Sequence, residues 1–163
     1  MLNTMDAAAP QSRPFALTLH RATALVDRVA DVYLRPAHGI GVADFAALIT
    51  IDAFAPARQS SIARGMGVSR AAVTQRLAEL VGKGLVQVSP DPSNARANLV
   101  SLTGSGSRLL ASAWAGLDAS DDGLEDSIDL ALLQQQLETL IANAERHLAA
   151  RAEASDGSAG GRR

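Results

Sequence analysis

The sequence contains no cysteine. This absence excludes disulfides, thiolate metal sites, cysteine nucleophiles and thiol-based redox sensing. Aromatic residues make up only 3% of the chain, and lysine occurs once, at Lys83. No apolar run reaches the roughly 18 residues of a membrane span, and the N-terminus lacks the basic start and apolar stretch of a secretory signal. We therefore expect a cytoplasmic protein with no membrane partner.

The overall composition is that of a helical globular protein. The chain has 163 residues, 47% of them hydrophobic, which suits one domain or one subunit of an oligomer. Few large side chains and abundant alanine favour closely packed helices. The net charge is −2, but the charges are unevenly distributed along the chain, because residues 56–103 carry six basic and two acidic side chains. This basic middle favours a polyanionic partner, although a chance imbalance on a solvated surface explains it equally well.

Helical periodicity dominates the first half of the chain. Apolar residues recur at spacings of three and four over residues 14–35, which predicts a helix. It should end before Pro36, because the residue preceding a proline avoids the helical region. The segment 42–54 is apolar on most sides and predicts a buried second helix, and residues 58–66 predict a short third one.

A tight turn separates the third predicted helix from a fourth. Gly67 permits a left-handed backbone, and Ser69 is a good N-cap for a helix over residues 70–82. Periodicity divides this helix into an inward and an outward side. The inward side carries Val73, Leu77 and Leu80, and the outward side carries Ala71, Gln75 and Ala78.

The second half begins with strands and ends with helices. Residues 85–89 and 97–102 have strand-like composition and enclose the turn-rich segment PDPSNAR, which predicts a β-hairpin. Thr103 is expected to cap a fifth helix reaching residue 117, and Ser127 a sixth reaching residue 152. Leucines step by three or four along the sixth helix, and a stripe so regular favours a partner helix.

The order of short helix, tight turn, second helix and β-hairpin predicts a winged helix-turn-helix. The alternative is an amphipathic helix in an unrelated small domain. We expect a mainly α fold with a small β-hairpin wing and with N- and C-terminal dimerisation helices. The predicted parts are a disordered N-terminus (1–13), an N-terminal dimerisation helix and loop (14–40), the DNA-binding domain (41–103), C-terminal dimerisation helices (104–152) and a flexible tail (153–163).

The sequence resembles the multiple-antibiotic-resistance regulator (MarR) family of bacterial transcription factors. The resemblance rests on GIGVADFAALITI, IARGMGVSRAAVTQRLAELVGKGLV and DPSNARANLVSLTGSG, which cover about residues 41–106 in the family's order. It implies a homodimer with interlocking terminal helices, in which each winged helix-turn-helix binds half of a pseudo-palindromic operator in double-stranded DNA. We expect such a protein to be a transcriptional regulator, namely an effector-responsive repressor.

The resemblance also implies which residues contact DNA. Ser69, Arg70, Thr74 and Gln75 fall on the DNA-contacting start of the recognition helix, and Arg96 falls on the wing-tip arginine that enters the minor groove. By side-chain chemistry, Gln75 suits an adenine edge and Arg70 suits guanine or phosphate. The predicted DNA-binding residues are Arg58, Ser60, Ser69, Arg70, Ala71, Thr74, Gln75, Arg76, Asn94 and Arg96.

Three departures from the family pattern remove charge from the predicted DNA side. Asn94 replaces the acid that orients the wing arginine, Gln75 replaces a basic residue, and Gln87 and Val88 fill positions that are often basic. We therefore expect a shallower salt dependence of DNA binding than in a strongly basic relative. The same departures leave an alternative function open: a winged-helix protein-interaction or sensor module with weak or lost DNA binding.

An effector pocket is predicted near the first and fifth helices. In the family, effectors bind between the helical dimer region and the winged domain, and aromatic rings with an arginine suit a small aromatic or phenolic effector. Plain packing is the alternative interpretation of the tryptophan. The three histidines lack metal-ligand spacing, and no nucleophile motif is present, so we expect no metal, no cofactor and no enzyme activity. The predicted pocket residues are Tyr33, Arg35, His38, Arg108 and Trp114.

Overall fold

The computed structural model describes residues 12–159, apart from the side chains of residues 12, 95, 96 and 155–159. The described chain forms two compact units, residues 12–122 and residues 123–159. Most of the segment predicted to be disordered, residues 1–11, lies outside the described residues, as do residues 160–163 of the predicted tail.

The first helix is longer at both ends than the sequence predicts. Helix α1 spans Ser12–His38, so residues 12 and 13 are helical rather than disordered and Pro36 lies inside the helix. A proline costs a helix the hydrogen bond to the carbonyl four residues earlier. That carbonyl belongs to Val32, a residue that is 76% exposed, and Pro36 is exposed too, so the lost bond lies on the solvent side of the helix. The helix ends instead at Gly39, which has a φ of +67°.

The core of the first unit forms around the second helix. Helix α2 spans Val42–Phe54, as predicted, and buries Phe45, Leu48 and Ile51. Helix α3 spans Gln59–Met66, and helix α4 spans Arg70–Gly82. These helices bring together fully buried side chains from separate segments, including Leu34, Ile62, Leu80 and Val100.

The helix-turn-helix has the predicted local geometry. Gly67 ends α3 in a left-handed conformation with a φ of +65°, which a glycine adopts without steric cost. The Ser69 hydroxyl accepts a hydrogen bond of 3.2 Å from the Ala72 amide and thereby caps α4. The turn therefore sets the angle at which α4 leaves α3.

The wing is a three-stranded antiparallel sheet rather than a bare hairpin. Strand β2 spans Val86–Asp91 and strand β3 spans Asn94–Leu102, so the strands extend further into the predicted turn segment and leave only two residues between them. A third strand, β1 (Ala57–Arg58), pairs with the other side of β3 and gives the order β1-β3-β2. Sequence patterning misses β1, because two residues carry no periodicity.

The fifth helix is attached to the base of the hairpin. Helix α5 spans Gly104–Asp118, and the Thr103 hydroxyl caps it by accepting a hydrogen bond from the Gly106 amide at 3.0 Å, as predicted. The same hydroxyl donates to the Gly84 carbonyl at 2.7 Å, and the Thr103 amide donates to the Leu85 carbonyl at 3.0 Å. One residue therefore joins the helix to the start of the wing.

The second unit contains helix α6, which spans Leu130–Ala159. Its cap is Asp129 rather than the predicted Ser127: the Asp129 carboxylate accepts from the Leu132 amide at 3.0 Å. Ser127 itself has a positive φ of 60° and lies before the helix. Residues 153–159, which were predicted to belong to a flexible tail, form the last turns of this helix, since a helix that has already formed extends cooperatively.

No single helix within residues 12–159 is both long and apolar enough to cross a membrane. By length and composition alone, one strongly bent pair formed by the first two helices passes the same test.

Candidate nucleic-acid interface

Helix α4 presents a polar face to solvent at its N-terminal half. Val73, Leu77 and Leu80 are buried beneath it, with 1%, 3% and 0% of their surfaces exposed. The predicted outward residues are exposed, and so are their neighbours toward the start of the helix. In winged helix-turn-helix proteins this is the part of the helix that enters the major groove. The exposed set is Ser69, Arg70, Ala71, Thr74 and Gln75.

A hydrogen bond brings the start of α3 next to this face. The Thr74 hydroxyl donates to the Arg70 carbonyl at 2.9 Å and lies 3.5 Å from Oε1 of Gln59. Gln59 was not among the residues predicted from the sequence. Its position at the first turn of α3 makes it a neighbour of the recognition surface.

A cleft of about 310 Å³ opens where α3, α4 and the sheet meet. Its polar groups are two guanidinium groups, two side-chain amides and one hydroxyl, and none of its lining residues is acidic. Guanidinium, amide and hydroxyl groups are the donors that bind phosphate oxygens in protein–DNA complexes. The lining residues are Arg58, Gln59, Ser60, Arg70, Ala97 and Asn98.

Asp91 holds one of these guanidinium groups in place. Its Oδ2 accepts from Nε and Nη2 of Arg58 at 3.0 and 2.7 Å, and its Oδ1 accepts from the amide and hydroxyl of Ser93 at 2.8 and 2.6 Å. The carboxylate therefore joins β1 to the turn of the wing. The hydrogen bonds from Ser93 and Arg58 lower the pKa of Asp91 to about 2.

Sequence reasoning missed Asp91, because it sought the wing acid at the family's position, three residues later. Asn94 stands at that position and is exposed at the start of β3. The backbone of Arg96 belongs to β3, but its side chain lies outside the described part of the structure. The minor-groove contact of Arg96 stays a prediction.

Arg76 is not brought together with the other predicted DNA-binding residues. Its Nη1 donates to Oδ1 of Asp44 on α2 at 2.8 Å and to Oε2 of Glu79 at 3.0 Å. Lys83 donates to Oδ2 of Asp44 at 2.6 Å. Burial raises the pKa of Asp44, but the hydrogen bonds from Lys83 and Arg76 outweigh it, so the pKa lies below its usual value. Arg76 therefore has a structural contact on the side of α4 that faces α2.

The predicted effector residues fall into separate small groups. The Tyr33 hydroxyl lies 3.1 Å from Nε2 of His38, and the Trp114 ring meets Phe45 edge-on at a centroid distance of 5.1 Å. Arg108 donates to Ser105 on its own helix. Of the five predicted residues, Arg35 alone lines either of the two cavities described for residues 12–122.

Arg35, the remaining predicted pocket residue, bonds an acid on its own helix. Its Nη2 lies 2.7 Å from Oδ2 of Asp31. The other oxygen of Asp31 accepts from the Val42 amide at 2.6 Å, so the carboxylate joins α1 to the start of α2. The bonds from Val42 and Arg35 lower the pKa of Asp31.

Several solved structures have the same fold. The chain is 26% identical to a cysteine-to-serine mutant of MarR from E. coli complexed with operator DNA, with a TM-score of 0.70 over 82% of this chain and 99% of that one. It is 26% identical to the transcriptional repressor CouR of Rhodococcus jostii RHA1 bound to a 23-mer DNA duplex, with a TM-score of 0.67 over 83% and 96% of the two chains.

A third regulator, MosR of M. tuberculosis in complex with DNA, is 27% identical, with a TM-score of 0.65 over 80% of this chain and 96% of that one. No curated protein sequence matches the chain. The sequence profile of the MarR family matches residues 41–97, which include the helix-turn-helix, β1, β2 and the start of β3. Residues 41–97, which form most of the winged helix-turn-helix, therefore match the MarR family.

Proposed function

We propose that this protein is a homodimeric, sequence-specific DNA-binding transcriptional regulator that represses its target promoter. The observation that carries the proposal is the exposed start of α4 beside a cleft that has two guanidinium groups and no acidic lining residue. This arrangement offers base-reading side chains and phosphate-binding side chains on one surface. Repression is then steric, since a bound dimer occupies the promoter.

Uncovered apolar faces support the dimer. Phe15, Leu25 and Val26 on α1 are 52%, 45% and 48% exposed, and Leu133 and Leu148 on α6 are 43% and 67% exposed. Each face belongs to a helix that the resemblance assigns to dimerisation. A second copy that covers these faces would present two recognition helices to successive major grooves, about 34 Å apart.

An effector response is part of the proposal. CouR has also been solved with p-coumaroyl-CoA. In this chain a ligand with different affinities for two dimer shapes would change the spacing of the recognition helices and therefore the affinity for the operator. A protein that acts on chromosomal DNA would work in the cytoplasm.

In vitro selection from a random duplex library tests the proposal. We expect a two-fold symmetric consensus with half-site centres about 10 base pairs apart. Changing Gln75 to Ala should relax one base position of each half-site, because a bidentate side-chain contact contributes about 1–3 kcal/mol of discrimination. Recovery of no consensus by a folded dimer would contradict the function, and identical consensus sequences for both proteins would contradict base reading by Gln75.

The depleted charge of the wing favours a second candidate, a winged-helix module that binds protein rather than DNA. It predicts that the folded dimer selects no duplex and elutes as a stable complex with a protein partner. The Arg96→Ala variant separates the two, because it should weaken operator binding in a gel-shift titration only if the wing contacts DNA.

A further inference from the structure

Arg58 is held at both ends of its side chain. Its backbone belongs to β1, where it lies opposite Leu99 of β3, and α3 begins at the next residue. Its guanidinium donates through Nε and Nη2 to Oδ2 of Asp91, at 3.0 and 2.7 Å. The position of this cation is therefore set by the fold before any partner binds.

The acid that holds Arg58 is itself fixed by the turn of the wing. Asp91 ends β2 and pairs with Asn94 at the start of β3. Its Oδ1 accepts from the amide and the hydroxyl of Ser93, which leaves Oδ2 for the arginine. The carboxylate therefore cannot follow the guanidinium if that group moves, and it acts as a fixed point.

The two members of the ion pair differ in their access to solvent. The Asp91 side chain is 5% exposed, whereas that of Arg58 is 49% exposed. Arg58 lines the basic cleft of about 310 Å³, and Asp91 is not among the lining residues. The hydrogen bonds described for residues 12–122 use Nε and Nη2 of Arg58 but not Nη1. A phosphate that enters the cleft therefore meets the guanidinium and not the carboxylate.

Asp91 has two opposite effects on a phosphate in this cleft. Its negative charge repels the phosphate and offsets part of the charge of Arg58, which weakens binding. Its hydrogen bonds restrict Arg58, so the side chain loses less conformational entropy when it binds, which strengthens binding. The direction in which operator affinity changes when the acid is removed shows which effect is larger.

We propose that Asp91 is a positioning residue for operator binding, and that it holds Arg58 in place as a phosphate contact. The family resemblance places an orienting acid three residues later, where this chain has Asn94. Here the orienting acid serves an arginine of β1 instead of an arginine of the wing. The positioning role rests on the proposed function, whereas the formation of the ion pair does not.

Fluorescence anisotropy with the selected operator, at constant salt, tests the positioning role. Asn at position 91 keeps an oxygen for Ser93 but has no second acceptor for Arg58. Asp91→Asn should lower operator affinity roughly fivefold or more for the dimer, although it removes a negative charge, because each copy must then order a free arginine. In an Arg58→Gln background the same substitution should not lower the affinity, since no guanidinium remains to be positioned.

Asp118→Asn is the matched control for the change in net charge. Asp118 is exposed at the end of α5, outside β1, β2 and α3. Removing its charge should not lower operator affinity. A loss as large as that of Asp91→Asn would overturn the inference, because the effect would then not depend on the contact with Arg58.

Nuclear magnetic resonance of the full-length, ¹⁵N-labelled protein tests the ion pair without any change at Asp91. The Nε–H signal of Arg58 is assigned by its loss in Arg58→Gln. We expect this hydrogen to be protected from exchange with water in the DNA-free protein and to stay protected in the operator complex. Protection in both states means that the bond to Asp91 persists while Arg58 binds phosphate.

The remaining outcomes overturn the inference in distinct ways. An Asp91→Asn protein that binds the operator as tightly as the wild type, or more tightly, would show that repulsion is the larger effect. Equal losses in the wild-type and Arg58→Gln backgrounds would assign Asp91 a purely structural role. An Arg58 Nε–H that exchanges freely in either state would exclude the persistent ion pair. If no duplex is selected, the proposed function and the positioning role fail together, while the resonance experiment still decides whether the pair forms.

Discussion

At the scale of single residues, three aspartates organise the winged unit. Asp31 joins α1 to the first turn of α2, Asp44 joins α2 to α4, and Asp91 joins β1 to the turn of the wing. Each carboxylate accepts from at least two donors, and the pKa of each lies below its usual value. The hydrogen bonds that lower the pKa of a carboxylate stabilise the folded state only while that carboxylate is ionised.

The pH dependence of folding tests the contact made by Asp91. Its pKa falls from 3.8 to about 2 on folding, so the stabilisation is complete above pH 4 and is lost as the pH falls through about 2. Asp91→Asn removes this titration. We expect urea unfolding midpoints measured between pH 5 and pH 2 to fall less steeply in the variant than in the wild type.

Asp118→Asn is the control for that experiment, because Asp118 is exposed and has no described hydrogen bond within residues 12–159. It should follow the wild-type curve. Parallel curves for Asp91→Asn and the wild type would show that the carboxylate does not stabilise the fold.

The sequence predicted the residues whose role depends on their neighbours in the chain. It did not predict the residues that bond partners distant in sequence. Ser69, Gly67 and Thr103 were predicted because a cap or a tight turn depends on neighbours in the chain. Asp44 and Asp91 bond partners 39 and 33 residues away, and no local spacing encodes such a pair. The contact of Arg76 with Asp44, 32 residues away, was not predicted for the same reason, and its role in DNA binding stays a prediction.

At the scale of elements, the helices were predicted better than the sheet and the helix ends. Helices α2 and α4 have the predicted bounds, because clear end signals flank them: Pro56 follows α2, and Ser69 and Gly84 enclose α4. Strand β1 was missed because only its pairing with β3 defines it. The end of α1 was predicted too early, because the proline rule does not consider that Val32 and Pro36 both lie on the exposed side of the helix.

The junction between the wing and α5 permits a test of packing. A Cβ at Gly106 would clash with the Leu85 carbonyl, which is the acceptor for the Thr103 amide. Gly106→Ala should therefore destabilise the protein by about 1–3 kcal/mol, the usual cost of overpacking. Urea denaturation measures this free energy of unfolding.

Gly82→Ala is the matched control, because the structure places nothing within 4 Å of the added methyl group. In a helix this change is neutral or stabilises by up to about 1 kcal/mol. A Gly106→Ala variant as stable as Gly82→Ala would mean that the helix and the wing are not in close contact at this point.

At the scale of the whole molecule, the proposal requires two copies. Leu148→Glu on α6 places a charge on an apolar face and should lower the molar mass in solution from twice 16.9 kDa to 16.9 kDa. Light scattering on a sizing column measures the mass. Gln135→Glu on the same helix adds an equal charge at an exposed polar position and should leave the dimer intact. A Leu148→Glu protein that remains dimeric would exclude this face from the interface.

The salt dependence of operator binding measures how many cationic side chains contact phosphates. If Arg58, Arg70 and Arg96 of each copy each neutralise one phosphate, log affinity should fall with log salt with a slope of about −5. Arg58→Gln should reduce the magnitude of this slope by about 2 per dimer. A filter-binding series from about 50 to about 300 mM salt measures it, and an affinity independent of salt would rule out the electrostatic interface.

Trp114 gives the molecule a built-in optical signal. It is the single tryptophan of the chain, and its ring meets Phe45, the neighbour of Asp44 on α2. The emitting indole therefore contacts the residue that follows Asp44, whose carboxylate bonds Arg76 and Lys83 on the side of α4 that faces α2. No label is needed to observe this emission. A wavelength shift on adding duplex would allow the rate of DNA binding to be measured by stopped-flow mixing.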